Sequence, residues 1–188
     1  GEHVAWLPLP DVGHPHASGR IIGLGLGLPL TLPAIQRTAI LAGVAYLKEV
    51  DWPDGRIVEL MRPMPAERLP HALQARTWTR PATEWATVTP VVLDRPPKRA
   101  DQRRLHQSLV ESLQQAGYPA PAAVIVSSFS TFQGAPPAFR VPSPDRKPRY
   151  HAMIRFAEPV AGPIIAGRLR YFGVGLFRPM TKLSRGSA

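Results

Sequence analysis

The hydrophobic and polar positions along this chain change period several times, and each change marks an element. A strand is expected over residues 20–28, in which 23–28 alternate glycine with leucine; this sets Gly23, Gly25 and Gly27 on one face and Leu24, Leu26 and Leu28 on the other. Before it, residues 3–9 form a short apolar run broken by Pro8, Pro10 and Asp11. Over residues 32–50 the spacing shifts to three and four, through Ile35, Ala39, Ala42, Tyr46 and Leu47. That predicts a helix with Thr31 as N-cap, Pro33 in its first turn, and Asp51, Pro53 and Gly55 at its end. Residues 56–61 read as the next strand. After a proline-broken connection over 63–70, a strand pair is expected around 72–79 and 85–93.

The second half repeats this order. A strand at 87–93 precedes a helix over 101–116, which carries Leu105, Leu109 and Leu113 on one stripe and stops at Gly117. A β-branched strand follows at 123–129, then a loop over 133–148, a strand at 150–156, a turn at 158–162 and a final strand at 171–178. Both halves read β-α-β-β. The fold class expected is therefore α+β, with antiparallel sheets and helices on one face.

A strand face made only of glycine is weak, and is tolerated where a helix, another backbone or a ligand must come close. For Gly23, Gly25 and Gly27 two explanations stand: cover by the helix that follows, or approach of a ligand. A similar stretch, AGRLRYFGVGLFRP, lies at 166–179. There, alternation would put Phe172, Val174 and Leu176 on one face, with Gly173 and Gly175 on the other between Tyr171 and Phe177. With Arg168, Arg170 and Arg178 around it, a phosphate backbone would meet matched charge against the main chain.

Composition narrows the partner. With 188 residues, 44% of them hydrophobic, the chain can bury a core as one domain or two small ones. Lys plus Arg number 23 against 13 Asp plus Glu, and this excess of ten cations points to a polyanion. Nucleic acid is the leading class and a membrane surface the alternative. No run of 18 apolar residues exists; the closest stretch, 21–35, contains three glycines and two prolines. No cationic segment leading into an apolar one opens the chain, so no export signal is expected. Cysteine is absent, which excludes disulfides, thiolate metal sites and cysteine nucleophiles and suits a reducing, cytoplasmic location. The 23 prolines fall mainly between periodic segments, and residues 184–188 read as a disordered tail.

The spacing of Gly167, Gly173 and Gly175 resembles the tail of the glycine-rich loop of the RAMP superfamily of CRISPR-associated proteins, which are built from ferredoxin-like (RRM-like) units. Three blocks extend the likeness: GHPHASGRIIGLGLGLP, WATVTPVVLDR at 85–95, and RYHAMIRFAEPVAGPIIAGRLRYFGVGLFRP at 149–179. Over residues 2–179 the chain resembles the C-terminal half of the fused proteins of type I-U (also called I-G) CRISPR systems. In those fusions a fifth-family Cas backbone module is joined to a sixth-family Cas repeat endoribonuclease module. Two departures stand out. The leading Gly-x-Gly is reduced to Gly167, with Ile165 where the first glycine would be, and the fused backbone module lies outside this sequence.

The resemblance implies tandem ferredoxin-like units, 1–83 with the histidine loop and 84–180 with the glycine-rich loop, followed by a tail at 181–188. It also implies metal-independent cleavage of CRISPR repeat RNA, without cofactor, followed by retention of the guide in an effector complex. The implied partners are a repeat stem-loop and other Cas effector subunits, including the backbone module, and not a membrane. The alternative is a RAMP-fold RNA-binding subunit that does not cleave.

Attack of a ribose 2'-OH on the adjacent phosphate needs a base, a proton source for the departing 5'-oxygen, and positive charge on the phosphoryl oxygens. Histidine suits the first role because its ordinary pKa of about 6.5 leaves both forms populated near neutrality. His14 and His16 sit two residues apart on a turn closed by Ser18, Gly19 and Arg20, and the resemblance implies a catalytic histidine in this part of the first unit. The same turn would also serve as a purely packed one; as a metal site it lacks a third ligand. His151, beside Arg149 and Tyr150, is the second candidate base, while His106 suits helix packing and His3 and His71 lack chemical neighbours in sequence. RNA contacts are expected from Arg20, Arg149, Arg155, Arg168, Arg170, Arg178 and Lys182 and from the backbone at Gly173 and Gly175. Tyr171 and Phe177 would either stack on bases or cover the sheet edge. Arg95, Lys98, Arg99, Arg103 and Arg104 make either a second RNA-facing patch or a solvated turn, since cations at a helix start oppose its dipole.

Overall fold

Strands β1 (Ala5–Pro10) and β2 (Ile21–Gly27) pair antiparallel in the computed structural model, which describes residues 3–51, 55–64, 68–97, 101–141 and 147–180. The register places Ala5, Leu7 and Leu9 opposite Gly27, Gly25 and Gly23. On this shared face the β1 side chains spread over the space the glycines leave, and a Cβ on Gly23 would overlap Leu73 Cδ2. Close packing thus excludes a side chain at Gly23, whereas a Cβ at Gly25 or Gly27 would meet Leu9, Leu7 and Ala5 at ordinary contact distance. The cover of the glycine face comes from the neighbouring strand and a turn, and not from the helix that follows.

That helix, α1 (Ala34–Ala45), forms as its periodicity predicts, but Pro33 occupies the N-cap and no side chain caps it, so Thr31 does not have the expected role. None of its residues is buried, and Ile35 and Tyr46 are 80% and 82% exposed. The stripe that should have faced a core faces outward. After it, β3 (Glu49–Asp51) and β4 (Ile57–Glu59) make a two-stranded ladder of their own. The first half therefore holds two separate ladders, among the described residues, and not one continuous sheet.

Residues 72–79, expected as a strand, instead form a 3-10 turn at His71–Leu73 and a short helix, α2 (Arg76–Thr79). Local hydrogen bonds drive the chain into this compact form. Trp78 Nε1 donates to Ala72 O at 2.7 Å and the Thr77 hydroxyl donates to His71 O at 2.5 Å, so side chains close turns that a strand would leave open.

The second half is organised on β5 (Ala82–Thr87), α3 (Gln102–Gln115), β6 (Ala123–Ser127), β7 (His151–Val160), β8 (Ile164–Ile165) and β9 (Leu176–Pro179). The five strands form one antiparallel sheet in the order β6-β7-β5-β9-β8. Helix α3 starts where the Asp101 carboxylate accepts the Arg103 backbone N–H at 3.0 Å, and it ends before Gly117, whose φ is 93°. Leu105, Leu109 and Leu113 are buried against Trp85, Ile154, Phe156 and Phe177, as the stripe predicts. Burial of each such side chain is favourable by about 1.5–3 kcal/mol, so this layer is the main core.

A second cluster joins the two halves. Ala5, Leu7, Leu9 and Val12 pack with Ala72, Trp78, Val88 and Leu176, so the β1–β2 hairpin is seated on the larger sheet. Together these elements make a mixed α+β structure with antiparallel sheets. Among the described residues no helix is long and apolar enough to cross a membrane.

The predicted strand at 171–178 also changes form. Arg170–Phe172 is a 3-10 turn, Gly173 and Gly175 take φ of 79° and 76°, and only Leu176–Pro179 is extended. A Cβ on Gly173 would overlap Pro8 Cδ, and one on Gly175 would overlap Ala166 O. These glycines permit a left-handed loop pressed against β1 and residue 166. They do not line an open face.

Candidate functional site

The loop between β1 and β2 is folded around one carboxylate. Asp11 N–H donates to Arg20 O at 2.9 Å and Gly19 N–H donates to Asp11 O at 2.8 Å, which closes the base of the loop. Asp11 Oδ2 then accepts from the Ser18 backbone N–H at 2.9 Å and from the Ser18 hydroxyl at 2.8 Å, while Oδ1 lies 2.6 Å from His14 Nε2. The Ser18 backbone N–H, then His14 and the Ser18 hydroxyl, hold the Asp11 carboxyl at a pKa of about 2. It is a carboxylate at neutral pH, so it accepts a proton bond from His14 Nε2–H. The other ring nitrogen, Nδ1, accepts from the His16 backbone N–H at 3.3 Å.

Contacts with the second half fix the loop in place. Gly13 N–H donates to Gln133 O at 2.8 Å and Gln133 Nε2 donates to Pro15 O at 3.0 Å. His14 remains 47% exposed, and His16 is exposed on the same turn.

A cleft of about 310 Å³ lies beside this loop, lined by Asp11, Val12, Gly13, His14, Pro70, His71, Ala72 and Arg178. Three separate parts of the chain build it. Arg178 enters from β9, donates from Nη1 to Val12 O at 2.6 Å and from Nη2 to His71 Nδ1 at 3.2 Å, and lies 5.3 Å from the centre of the Phe132 ring. Burial, and then the positive charges of Arg178, Arg76 and Arg80, lower the pKa of His71. The cleft therefore combines a carboxylate-bound imidazole, a second imidazole kept neutral, and an arginine held from three sides.

The other expected site residues are dispersed. His151 is 1% exposed; its Nδ1 lies 2.9 Å from the Thr87 hydroxyl and its Nε2 lies 2.9 Å from Pro136 O. Both ring nitrogens are bonded inside the fold, where the imidazole holds strands and loop together. Arg170 donates to Gly167 O at 3.0 Å, stands 3.8 Å from Asp94 and lies 4.7 Å from the Tyr171 ring centre, so it braces the glycine loop from within. Tyr171 packs edge-on to His3 with centroids 5.0 Å apart, and Phe177 is fully buried. Phe177 therefore offers no stacking face, while Tyr171 is half-buried with the Arg170 guanidinium over its ring.

Arg20 is exposed at the end of the histidine loop, and Arg168 is exposed beside the glycine turn. Arg155 is exposed on β7, opposite Glu84 and Ala123 in the sheet register. The Arg149 guanidinium donates to Val141 O. In the second basic cluster, Arg104 Nε lies 3.3 Å from Asp101, which offsets part of the charge at the start of α3. Lys182, Lys98 and Arg99 lie outside the described residues. Among the described residues, no three His, Asp or Glu side chains converge in a geometry that would hold a metal ion.

Sequence reasoning left His71 without a role because its partner, Arg178, stands 107 positions away. In the sequence Asp11 marks only the end of an apolar run. One local signal for it existed: an aspartate three residues before His14 and seven before Ser18 is placed to accept from both within one turn.

No curated protein and no solved structure matches this chain. A family model described as CRISPR-associated protein, GSU0054 family, matches residues 1–179, a span that holds the Asp11–His14 loop, His71 and Arg178 alike, and the chain therefore belongs to the GSU0054 family of CRISPR-associated proteins.

Proposed function

We propose that this chain is a metal-independent endoribonuclease that cleaves CRISPR repeat RNA and then stays on the guide within an effector complex. Membership in a CRISPR-associated family gives the context, and the excess of ten cations gives an attraction for RNA. The observation that carries the reading is the Asp11–His14 pair, 2.6 Å apart, on the wall of a cleft whose other wall holds Arg178.

In this reading, His14 takes the 2'-OH proton at Nδ1 once its long contact with the His16 backbone N–H gives way. Asp11, bound at Nε2, orients the ring and stabilises the imidazolium that forms. The 2'-oxygen bonds to phosphorus, the bond from phosphorus to the 5'-oxygen breaks, and His16 supplies the proton that the leaving oxygen takes up. The products are a 2',3'-cyclic phosphate and a 5'-hydroxyl.

The finer family assignment belongs to the same proposal: a RAMP-superfamily repeat endoribonuclease module of type I-U/I-G systems, working beside a backbone module and other Cas effector subunits. It is supported by the order β6-β7-β5-β9: with β5, β6, β7 and β9 counted as first to fourth strand, the sheet reads second-third-first-fourth, the strand order of a ferredoxin-like unit, with β8 added at the edge. A boundary near residue 83 separates that unit from the histidine-loop half. Stem recognition then falls to Arg20, Arg155 and Arg168, the exposed cations among the described candidates, with Arg178 at the cleft.

A second reading, a RAMP-fold subunit that binds RNA without cutting it, is favoured by one observation: both His14 ring nitrogens are engaged within their own loop. Incubation with a labelled repeat RNA in EDTA separates the two. A cyclic-phosphate end that disappears in His14→Ala supports cleavage, whereas tight binding of intact RNA by the unaltered chain supports the second reading.

A further inference from the structure

Among the described residues Arg178 is a cation without an anion. It lies partly buried in the cleft, and Asp11, the only carboxylate among the described residues that line it, already receives His14 and Ser18. Arg76 and Arg80 add positive potential at His71 from the α2 side. A guanidinium carries five N–H donors. Its bonds to Val12 O and His71 Nδ1 use two of them and hold its plane, so the remaining donors are fixed in direction but have no acceptor among the described residues. Such a preset fork matches two oxygens of a phosphate group.

The same contact decides the state of His71. Arginine cannot accept a hydrogen bond, so Nδ1 of His71 must be the acceptor and the ring proton must sit on Nε2. The Thr77 hydroxyl, 3.2 Å from Nδ1, gives its proton to His71 O, which leaves Arg178 as the donor to this nitrogen. A proton on Nδ1 would break that bond and set two cations against each other. His71 is thus built as a fixed donor through Nε2–H and not as a proton carrier.

We propose that His71 and Arg178 form a phosphate-binding half of the cleft, where Nε2–H of His71 and the free N–H groups of Arg178 hold the non-bridging oxygens of a phosphodiester opposite the Asp11–His14 pair. This rests on the ribonuclease reading for its place in a reaction, but the anion site itself does not need cleavage. Two measurements keep the failures apart.

The first is nitrogen NMR of the histidine side chains in the full chain, titrated with inorganic phosphate. The expected result is a His71 ring with Nδ1 as the bare nitrogen, whose Nε2 signal moves with phosphate and stays still in Arg178→Met. A protonated Nδ1, or no shift at millimolar phosphate, overturns the proposal. The second is single-turnover cleavage of repeat RNA. His71→Ala should slow it by about 100-fold or more, the loss seen on removing one donor to a developing oxyanion, and His71→Gln should restore at least tenfold because its amide keeps an N–H near the Nε2 position. Cleavage by a folded His71→Ala at the unaltered rate overturns the site and leaves the ribonuclease reading standing. A phosphate-dependent His71 shift in a chain that cuts no RNA supports the site and defeats the ribonuclease reading.

Discussion

Arg178 Nη2 hydrogen-bonds His71 Nδ1 at 3.2 Å across 107 positions of sequence. That one contact joins the last strand of the large sheet to the turn beneath the glycine hairpin, and it faces the loop that carries His14. The cleft exists because the second core cluster, with Leu7, Trp78 and Leu176, seats the hairpin on the sheet.

His14→Ala and Asp11→Asn test the proposed chemistry at two distances from the substrate. Loss of the base should lower single-turnover cleavage by about 10²–10⁴-fold. Asp11→Asn should also cost up to about 10⁴-fold, because the ring remains but is left in the wrong tautomer and without the charge that stabilises imidazolium. Loss of protection at the Ser18 and Gly19 amides in Asp11→Asn would point to collapse of the loop instead.

The loop should be stable to acid. Asp11 is held at about 2, below its ordinary 3.8, by Ser18 and His14. Its stabilising contribution is therefore fully present above pH 3.8 and is lost as pH falls through about 2. Hydrogen exchange at the Ser18 and Gly19 amides, followed from pH 5 to pH 2, should show protection that gives way only at the acid end. Loss of protection near pH 4 would mean that the carboxylate is not bonded as described.

His151 should matter for stability and not for cleavage. Burial lowers its pKa from 6.5, against the opposing effect of its bonds to Pro136 and Thr87. The unfolded chain takes up a proton first, so this stability is complete above pH 6.5 and declines as pH falls through the lowered native value. Thermal midpoints measured from pH 7.5 to pH 5 should fall, and less steeply in His151→Ala. That variant should lose about 1–3 kcal/mol for the unsatisfied partners it leaves, and its folded fraction should cleave normally.

Gly173→Ala probes the glycine turn. A side chain at φ 79° costs about 1–2 kcal/mol for the left-handed backbone alone, and here its Cβ would also overlap Pro8 Cδ. Urea unfolding should show a loss larger than that backbone figure. If RNA affinity fell while stability stayed unchanged, the glycine would be facing ligand after all.

Where the chain made its own structure locally, the residues were readable. The stripe of Leu105, Leu109 and Leu113 and the stop at Gly117 mark α3 because hydrogen bonds four residues apart and a buried face are properties of neighbouring positions. A short apolar run marks β1, and alternation likewise marks β2. It misled at 171–178, since the pattern of Gly173 and Gly175 suits a strand face and a left-handed turn equally; φ there is decided by the contacts with Pro8 and Ala166. It misled again at 72–79, where Thr77 and Trp78 close turns through side-chain bonds.

The sequence by itself determined the mixed α+β character, the excess of positive charge and the placing of His14 on a tight loop, because composition and short-range periodicity are carried by adjacent residues. Only the tertiary structure decided which groups share a cleft. It buried His151, turned Arg170 inward and brought Arg178 to His71. Those outcomes depend on how two cores pack against each other, and a pairing across 107 positions leaves no mark on either residue's neighbours.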